Sequence, residues 1–453
     1  MIVQGEKRQE EKEKFMIKRF FQFVLPSMFA FAFSGLYAIV DGLFVGRNVG
    51  DLGLAAINVA YPLTALIAAL GTGIGMGGSV HYSLEKGKGK EDEAKKFIGS
   101  AFTFLLICGV LLLISLTLFY EPILKLFGAS GTLLSMAEDY IRFIIAGTLF
   151  QVISTGLIPI LRNYGLVIPV MSIMIGGFIT NIVLDYLLVA VFQYGVSGAA
   201  VATIAGQALT MLLCMILFFH KKYRIKRTYF RLDKTRIQHI VRVGISPFGL
   251  TISPNIVIIF MNWKAIEYGG DIAVSVYAVI SYIIYAVQLM LQGAGDGSQP
   301  LISLFAGEKN ETGVRKIRKL AYVTAFVVAA VSVGLIHLLR YQIPLFFGSS
   351  LEVAKLTGEA FPLFAIGLLF TAYLRITTSY FYAIGRNGYS YVLVYGEPIF
   401  LFLFLLVLPP VEQLMGVWLS SPLSQLFLML IGMYFYRRQK KEEEKDEKSV
   451  MAA

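Results

Sequence analysis

Charged residues are scarce in this sequence. Only 15% of the 453 residues are Asp, Glu, Lys or Arg, against about 25% in soluble domains. Hydrophobic residues make up 57%, and the mean hydropathy is +0.70. This composition excludes a soluble globular domain and indicates a polytopic membrane protein built from bundles of helices.

Cysteine and histidine are scarce as well. The two cysteines lie in apolar runs, so no disulfide framework is expected. The four histidines are scattered, and we expect no metal centre. A membrane-embedded transferase would need clustered His and Asp or a DDxxD run, and the sequence has neither. We therefore expect no enzymatic activity and no organic cofactor.

Apolar runs long enough to cross a bilayer, which requires about 20 residues each, occur twelve times. They predict an all-α fold with twelve transmembrane helices, at roughly 17–46, 53–83, 97–120, 133–161, 167–192, 196–219, 243–263, 271–303, 317–340, 352–384, 389–410 and 413–436.

The basic residues are unevenly distributed between the connections. With the N-terminus inside, the inner segments hold 33 of the 40 Lys and Arg. This asymmetry predicts that both termini are cytoplasmic. It also explains the formal net charge of +11 without a nucleic-acid partner.

An internal repeat relates the two halves of the chain. Residues 51–96 match 271–316 at a constant offset of 220, with ten identities in 46 positions. The predicted organisation is an N-terminal segment (1–16), a first lobe (17–219), a basic linker (220–242), a second lobe (243–436) and a tail (437–453). Two parallel six-span repeats are typical of transporters with a cavity between the repeats; the alternative is a duplication that retains no mechanism.

Two acids distinguish the first repeat from the second. Asp41 ends the apolar run before "GLFVGRNVG", although a charge in mid-bilayer costs about 2.5–3.5 kcal/mol on insertion scales. At an offset of 221, the residue equivalent to Asp41 in the second repeat is Asn262, and the residue equivalent to Asp185 is Leu406. The pattern predicts a charge-handling site in the first lobe.

Helical spacing supports such a site. Tyr37 and Asp41 are four residues apart, as are Asn181 and Asp185, so each pair shares a helix face. Thr203 lies about one turn into the following span. These side chains offer carboxylate, amide and hydroxyl oxygens to a proton or a small hard cation such as Na⁺. The alternative is that Asp41 frames the outer end of its helix and meets water.

Four further residues are candidates for other roles. Pro26 interrupts the backbone hydrogen bonds of the first span and allows it to bend. Asp296, in a glycine-rich stretch, is either a second ionisable site or part of a close helix contact. Glu397 and Arg375 either face the central cavity or pair with each other.

The stretch "VDGLFVGRNVGDLGLAAINVAYPLTALIAALGTGIGMGGSVHYSLEKGKGKEDEAKK", followed by "NIVLDYLLVAVFQYGVSGAAVAT", resembles the multidrug and toxic compound extrusion (MATE) family, in its DinF-like and MepA-like prokaryotic branch. The resemblance covers essentially the whole chain. It implies a transporter of two six-helix lobes in a prokaryotic cell membrane. It also implies export of cationic amphiphiles, including antibiotics, driven by inward H⁺ or Na⁺.

The resemblance also implies roles for individual residues. It assigns the ion site of the first lobe to Asp41, Asn181, Asp185 and Thr203. Tyr37 and Tyr140 match tyrosines near that site, and Pro26 matches the proline at which the first span bends. The acids of the other branch are not matched, since Asn262 stands at one of their positions, and Asp296 departs from the pattern. The expected partners are small cationic substrates and membrane lipid, and the expected state is a monomer.

Two rival transport functions differ in the charges they need. A flippase for lipid-linked oligosaccharides would line its cavity with Arg or Lys, whereas Arg375 alone lies clearly within a predicted span. A passive channel would not require acids in only one repeat. The sequence therefore favours a cation-coupled antiporter and leaves the choice between H⁺ and Na⁺ open.

Overall fold

A computed structural model describes residues 13–50, 52–223 and 225–442 with their side chains, and the backbone alone of 2–12, 51 and 443–452. Within this part of the chain the regular structure is entirely helical. The first half forms α1 (Ile2–Asn48), α2 (Asp51–Gly87), α3 (Glu91–Leu126), α4 (Gly131–Ala146), α5 (Thr148–Asn163), α6 (Val167–Asp185) and α7 (Gly195–Phe218). The second half forms α8 (Lys234–Gly307), α9 (Glu311–Leu339), α10 (Gln342–Phe346), α11 (Leu351–Ala383), α12 (Asn387–Val407) and α13 (Pro409–Ala452).

The helices account for the twelve predicted spans. Ten of the described helices are long and apolar enough to cross a membrane. The pair α4 and α5 adds a span that is bent by 56° at its break. The 74-residue helix α8 contains two spans, because Gly270 breaks it with φ 62°, a conformation that glycine adopts without strain. The prediction of an all-α, multi-pass membrane protein is confirmed.

The described chain separates into two compact units. The first holds the chain up to Ile252 together with Gln292–Leu320, and the second holds Ser253–Leu291 together with the chain from Ala321. These units group segments by contact, whereas the lobe boundaries 17–219 and 243–436 were drawn from the sequence repeat. Those boundaries therefore remain a prediction.

In the first unit, Gly77 and Gly297, which are equivalent at the repeat offset of 220, lie where helices touch through their backbones. A β-carbon on Gly77 of α2 would lie 2.1 Å from the carbonyl oxygen of Ile240, at the start of α8. One on Gly297, near the end of α8, would lie 2.9 Å from the α-carbon of Val24 in α1. Any larger residue would force these helices apart. Close helix contact thus explains why the glycines recur in both repeats.

A buried chain of polar side chains also crosses the first unit. The Ser83 hydroxyl donates to Asn163 Oδ1 at 2.6 Å, and Asn163 Nδ2 donates to Gln299 Oε1 at 3.1 Å. Gln299 Nε2 in turn donates to the Ser303 hydroxyl at 2.9 Å. All four residues are buried, so these bonds replace hydration that the interior cannot supply. They join α2, α5 and the last part of α8.

The second unit is organised around aromatic rings. Tyr277 of α8 stacks on Trp418 of α13, with ring centroids 6.2 Å apart. Phe364 of α11 lies 6.0 Å from the Tyr277 ring and 5.8 Å from the Trp418 ring. Such offset and edge-on arrangements are the ones that aromatic pairs prefer. The three rings connect the helices that surround Glu397 of α12.

Candidate functional site: a buried pair of acids

The two acids of the first repeat lie next to each other. Helix α1 carries Asp41, and α6 ends at Asp185. Their carboxyl groups are within hydrogen-bonding reach of one another. Asp185 is fully buried, and Asp41 is half-buried. The two acids that the sequence singled out therefore belong to one cluster.

The oxygens of this pair lack donors. Among the described side chains, none donates a hydrogen bond to Asp41 Oδ1 or to either carboxylate oxygen of Asp185. Ionised carboxylates are acceptors only, so they bond to each other only when one of them carries a proton. Unpaired buried charge is costly. The pair thus has the chemistry of a site that takes up a proton or a cation.

Helix α7 contributes the next part of the site. Asn181, one turn before Asp185, donates from Nδ2 to the Thr203 hydroxyl at 3.3 Å. Both residues are buried, and within the described chain Asn181 Oδ1 has no donor. The two helices approach closely here, since a β-carbon on Gly206 would lie 2.7 Å from the carbonyl oxygen of Gly177. An amide oxygen and a hydroxyl therefore adjoin the acids.

Two tyrosines and a second threonine complete the cluster. The Tyr37 ring stacks on Phe178 with centroids 5.3 Å apart, and its hydroxyl lies near Thr203. Tyr140 of α4 is buried, and its hydroxyl lies near Thr203 and Thr64, although the Thr64 hydroxyl forms no hydrogen bond with any described residue. Sequence reasoning missed Thr64, because nothing in the apolar pattern of α2 distinguishes it.

The backbone changes its winding directly after Asp185. Residues Tyr186–Val191 form a π-helical turn, and the Phe192 N–H donates to the Leu187 carbonyl, five residues back, at 2.8 Å. Such wide turns within α-helices are rare and occur frequently at functional sites. The acid pair is therefore followed directly by an irregular turn of the same helix.

Pro26 lies away from the acids. It is fifteen residues before Asp41 in one continuous helix, or about 22 Å along the axis at 1.5 Å per residue. It borders a small cavity with Phe31, Arg162 and Met171, where the Arg162 guanidinium lies 5.6 Å from the centre of the Phe31 ring. Its role in bending remains a prediction.

The remaining candidates lie elsewhere. Asp296 is buried and accepts a hydrogen bond from Gln292 at 2.8 Å, and Asn262 is half-buried in α8. In the second unit, Arg375 Nη2 lies 3.9 Å from Glu397 Oε2, so the structure places these two side chains as a pair. Glu397 also lines a cleft, with Tyr277, Ser281, Gln288 and Gln425.

The fold and this cluster define a multi-pass helical membrane protein with acids enclosed among its spans. The MatE family model matches residues 26–187 and 250–395. The chain belongs to the MatE family and has the MATE fold.

Related proteins match most of the chain. The multidrug export protein MepA of Staphylococcus haemolyticus is 25% identical over 436 residues, which are 93% of this chain and 94% of the relative. The probable multidrug resistance protein YoeA of Bacillus subtilis is 22% identical over 442 residues, again 93% and 94%. A crystal structure of MATE in the straight conformation superposes with a TM-score of 0.87 at 24% identity, covering 94% of this chain and 97% of that chain.

Proposed function

We propose that this protein exports cationic or amphiphilic small molecules in exchange for H⁺ or Na⁺ moving inward. Its similarity to MepA and YoeA, which are named for multidrug export and resistance, supports the substrate class. The contact between Asp41 and Asp185, whose buried oxygens lack donors in the described chain, carries the proposal of ion coupling. Both termini lie in the cytoplasm in this proposal.

The coupling follows from the cost of enclosing charge. With both acids ionised, the pair attracts a substrate cation but resists being sealed away from water. One proton placed between the carboxyl groups removes part of the charge and supplies the missing donor. The neutralised pair then favours repacking of α1 and release of the substrate.

Sodium would use the same oxygens differently. The carboxylates of Asp41 and Asp185, the amide oxygen of Asn181 and the hydroxyl of Thr203 are hard oxygen ligands of the kind that such cations prefer. Either ion gains about 2.3 kcal/mol per charge from a membrane potential of about 100 mV. An inside-negative potential drives the ion inward, whereas a substrate cation leaves against that potential and depends on its exchange for the ion.

Transport in proteoliposomes tests this function directly. Efflux of ethidium, as a fluorescent organic cation, is measured while a pH gradient and a Na⁺ gradient are imposed separately. We expect one of the two gradients to drive efflux in the wild type and neither to drive it in Asp41→Asn or Asp185→Asn. Gradient-driven efflux that persists in both variants would refute the assignment.

The matched control is Asp139→Asn. Asp139 lies on α4, next to Tyr140, but its side chain is exposed. This substitution removes the same charge without touching the buried pair. Its efflux should equal that of the wild type under both gradients.

A further inference from the structure

The basic linker between α7 and α8 is fixed to the first turns of α3. Two 3₁₀ turns, Lys221–Tyr223 and Arg227–Phe230, form its core. The Tyr229 hydroxyl donates to Asp92 Oδ1 at 2.6 Å. The hydroxyl of Thr103 donates to the Phe230 carbonyl at 2.7 Å.

The backbone of the linker packs directly on this helix. A β-carbon on Gly99 would lie 2.3 Å from the Tyr229 carbonyl oxygen, so any larger residue would displace the linker. The Ser100 hydroxyl donates to the carbonyl of Arg231 at 3.0 Å. The backbone of the linker is therefore held at a defined position on α3.

Several cations in the described part of the linker have no acidic partner among the described residues. Lys226 and Arg236 approach the acids of α3, at 3.7 Å from Asp92 and 3.8 Å from Glu93. Five other cations are exposed and form no ion pair with any described residue: Lys221, Lys222, Arg227, Arg231 and Lys234. Asp92 and Glu93 of α3 are thus already paired with cations, and the exposed side of the linker is positively charged.

The linker also lies near the membrane boundary. It joins two membrane-spanning helices directly, since α7 ends at Phe218 and α8 begins at Lys234. Its exposed side chains include two large apolar groups, Phe219 at 50% and Leu232 at 44% exposure. Apolar side chains flanked by Lys and Arg are typical of segments that lie in the interfacial layer of a bilayer.

We propose that this linker surface binds the anionic headgroups of phospholipids. Charge complementarity selects the partner, because a surface of unpaired cations beside the bilayer is attracted by acidic lipids. Each cation near such a surface strengthens binding by about fivefold. Lipid binding by this linker depends neither on which ion drives transport nor on which molecule is exported.

The test compares lipid retention in the full-length protein. Wild type and the triple variant Lys222→Gln, Arg227→Gln and Arg231→Gln are reconstituted in bilayers of equal parts phosphatidylglycerol and phosphatidylcholine, extracted gently, and analysed for co-purifying lipid. We expect the wild type to retain phosphatidylglycerol in excess over phosphatidylcholine. The triple variant should lose about tenfold or more of that preference.

Two further variants test whether the lipid preference depends on the cations of the linker, rather than on the net charge of the protein or on the exact shapes of these side chains. The set Arg47→Gln, Lys125→Gln and Arg142→Gln removes three exposed cations at other helix positions and should keep the wild-type preference. The charge-preserving set Lys222→Arg, Arg227→Lys and Arg231→Lys should keep it too. An equal preference in the wild type and the linker variant would overturn the proposal, as would a wild type that shows no preference.

Discussion

Gly87 and Gly307, which are the same position in the two sequence repeats, touch each other through their backbones. A β-carbon on Gly87 would lie 2.9 Å from the Gly307 α-carbon and 2.2 Å from the Leu304 carbonyl oxygen. One on Gly307 would lie 2.2 Å from the Leu84 carbonyl oxygen. A residue that meets its own counterpart indicates that the segments 73–87 and 293–307 are arranged symmetrically about this contact.

Gly87→Leu should destabilise the first unit. The added side chain meets backbone atoms that cannot rotate away, and overpacking of this kind costs about 1–3 kcal/mol or more. We expect a lower midpoint of thermal unfolding in detergent. The control is Gly176→Ala, since no described atom lies within 4 Å of a β-carbon there. That change should leave the midpoint unchanged or raise it slightly, by the equivalent of about 0.5–1 kcal/mol. Similar effects of both changes would contradict the close contact.

Asp41→Asn should stabilise the protein while it abolishes coupled efflux. The new amide can donate to the Asp185 carboxylate, which has no donor in the described chain. Satisfying a buried acceptor that lacks a partner is worth about 1–3 kcal/mol. The midpoint of thermal unfolding should therefore rise, whereas Asp139→Asn should change stability by less than about 0.5 kcal/mol. A lower midpoint for Asp41→Asn would mean that the two carboxyl groups are not adjacent in the folded protein.

Asn163→Leu should disrupt the buried polar chain of the first unit. It leaves the Ser83 hydroxyl without its acceptor and Gln299 Oε1 without its donor, at about 1–3 kcal/mol for each stranded group. Because these residues share one network, the double variant Asn163→Leu with Gln299→Leu should cost less than the sum of the single changes. Thermal unfolding of the four proteins in this cycle measures the difference. Strict additivity would argue against the network.

Glu397→Gln should destabilise the second unit more than Arg375→Met does. The first change leaves a buried guanidinium, whose Nε already lacks an acceptor in the described chain, without its acidic neighbour. The second leaves a carboxylate that borders the cleft and can draw on water there. Breaking a fully buried ion pair costs about 3–5 kcal/mol, and the 3.9 Å separation here should place both effects below that range. Unfolding midpoints in the reverse order would contradict this pairing.

Sequence patterns predict the helices of this protein better than their bends. Apolar length predicts the spans, because it depends on residues that are regular along the chain. The 56° bend between α4 and α5 was not predicted, since "FIIAGTLF" reads as one apolar run in which a single glycine is tolerated. The pairing of Asn163 with Gln299 was also missed, because the two residues are not equivalent positions of the repeat.

The candidate site was predictable in part. Spacing of four residues places Tyr37 with Asp41, and Asn181 with Asp185, on shared faces. Spacing within each helix cannot predict the contact between Asp41 and Asp185, because that contact depends on how α1 packs on α6. The family resemblance was the basis for expecting these two acids in one site. Thr64 needed the structure, since its hydroxyl becomes relevant only through its approach to Tyr140.

The π-helical turn at Tyr186–Val191 has a consequence for comparisons between relatives. A wide turn of this type accommodates one more residue than regular α-helical winding does. A relative that lacked this extra residue would rotate everything beyond it by about 100° around the helix axis. Deleting one residue here would therefore redirect the segment that leads into α7, and alignments of transporters that share the acid pair should show no gap in this stretch.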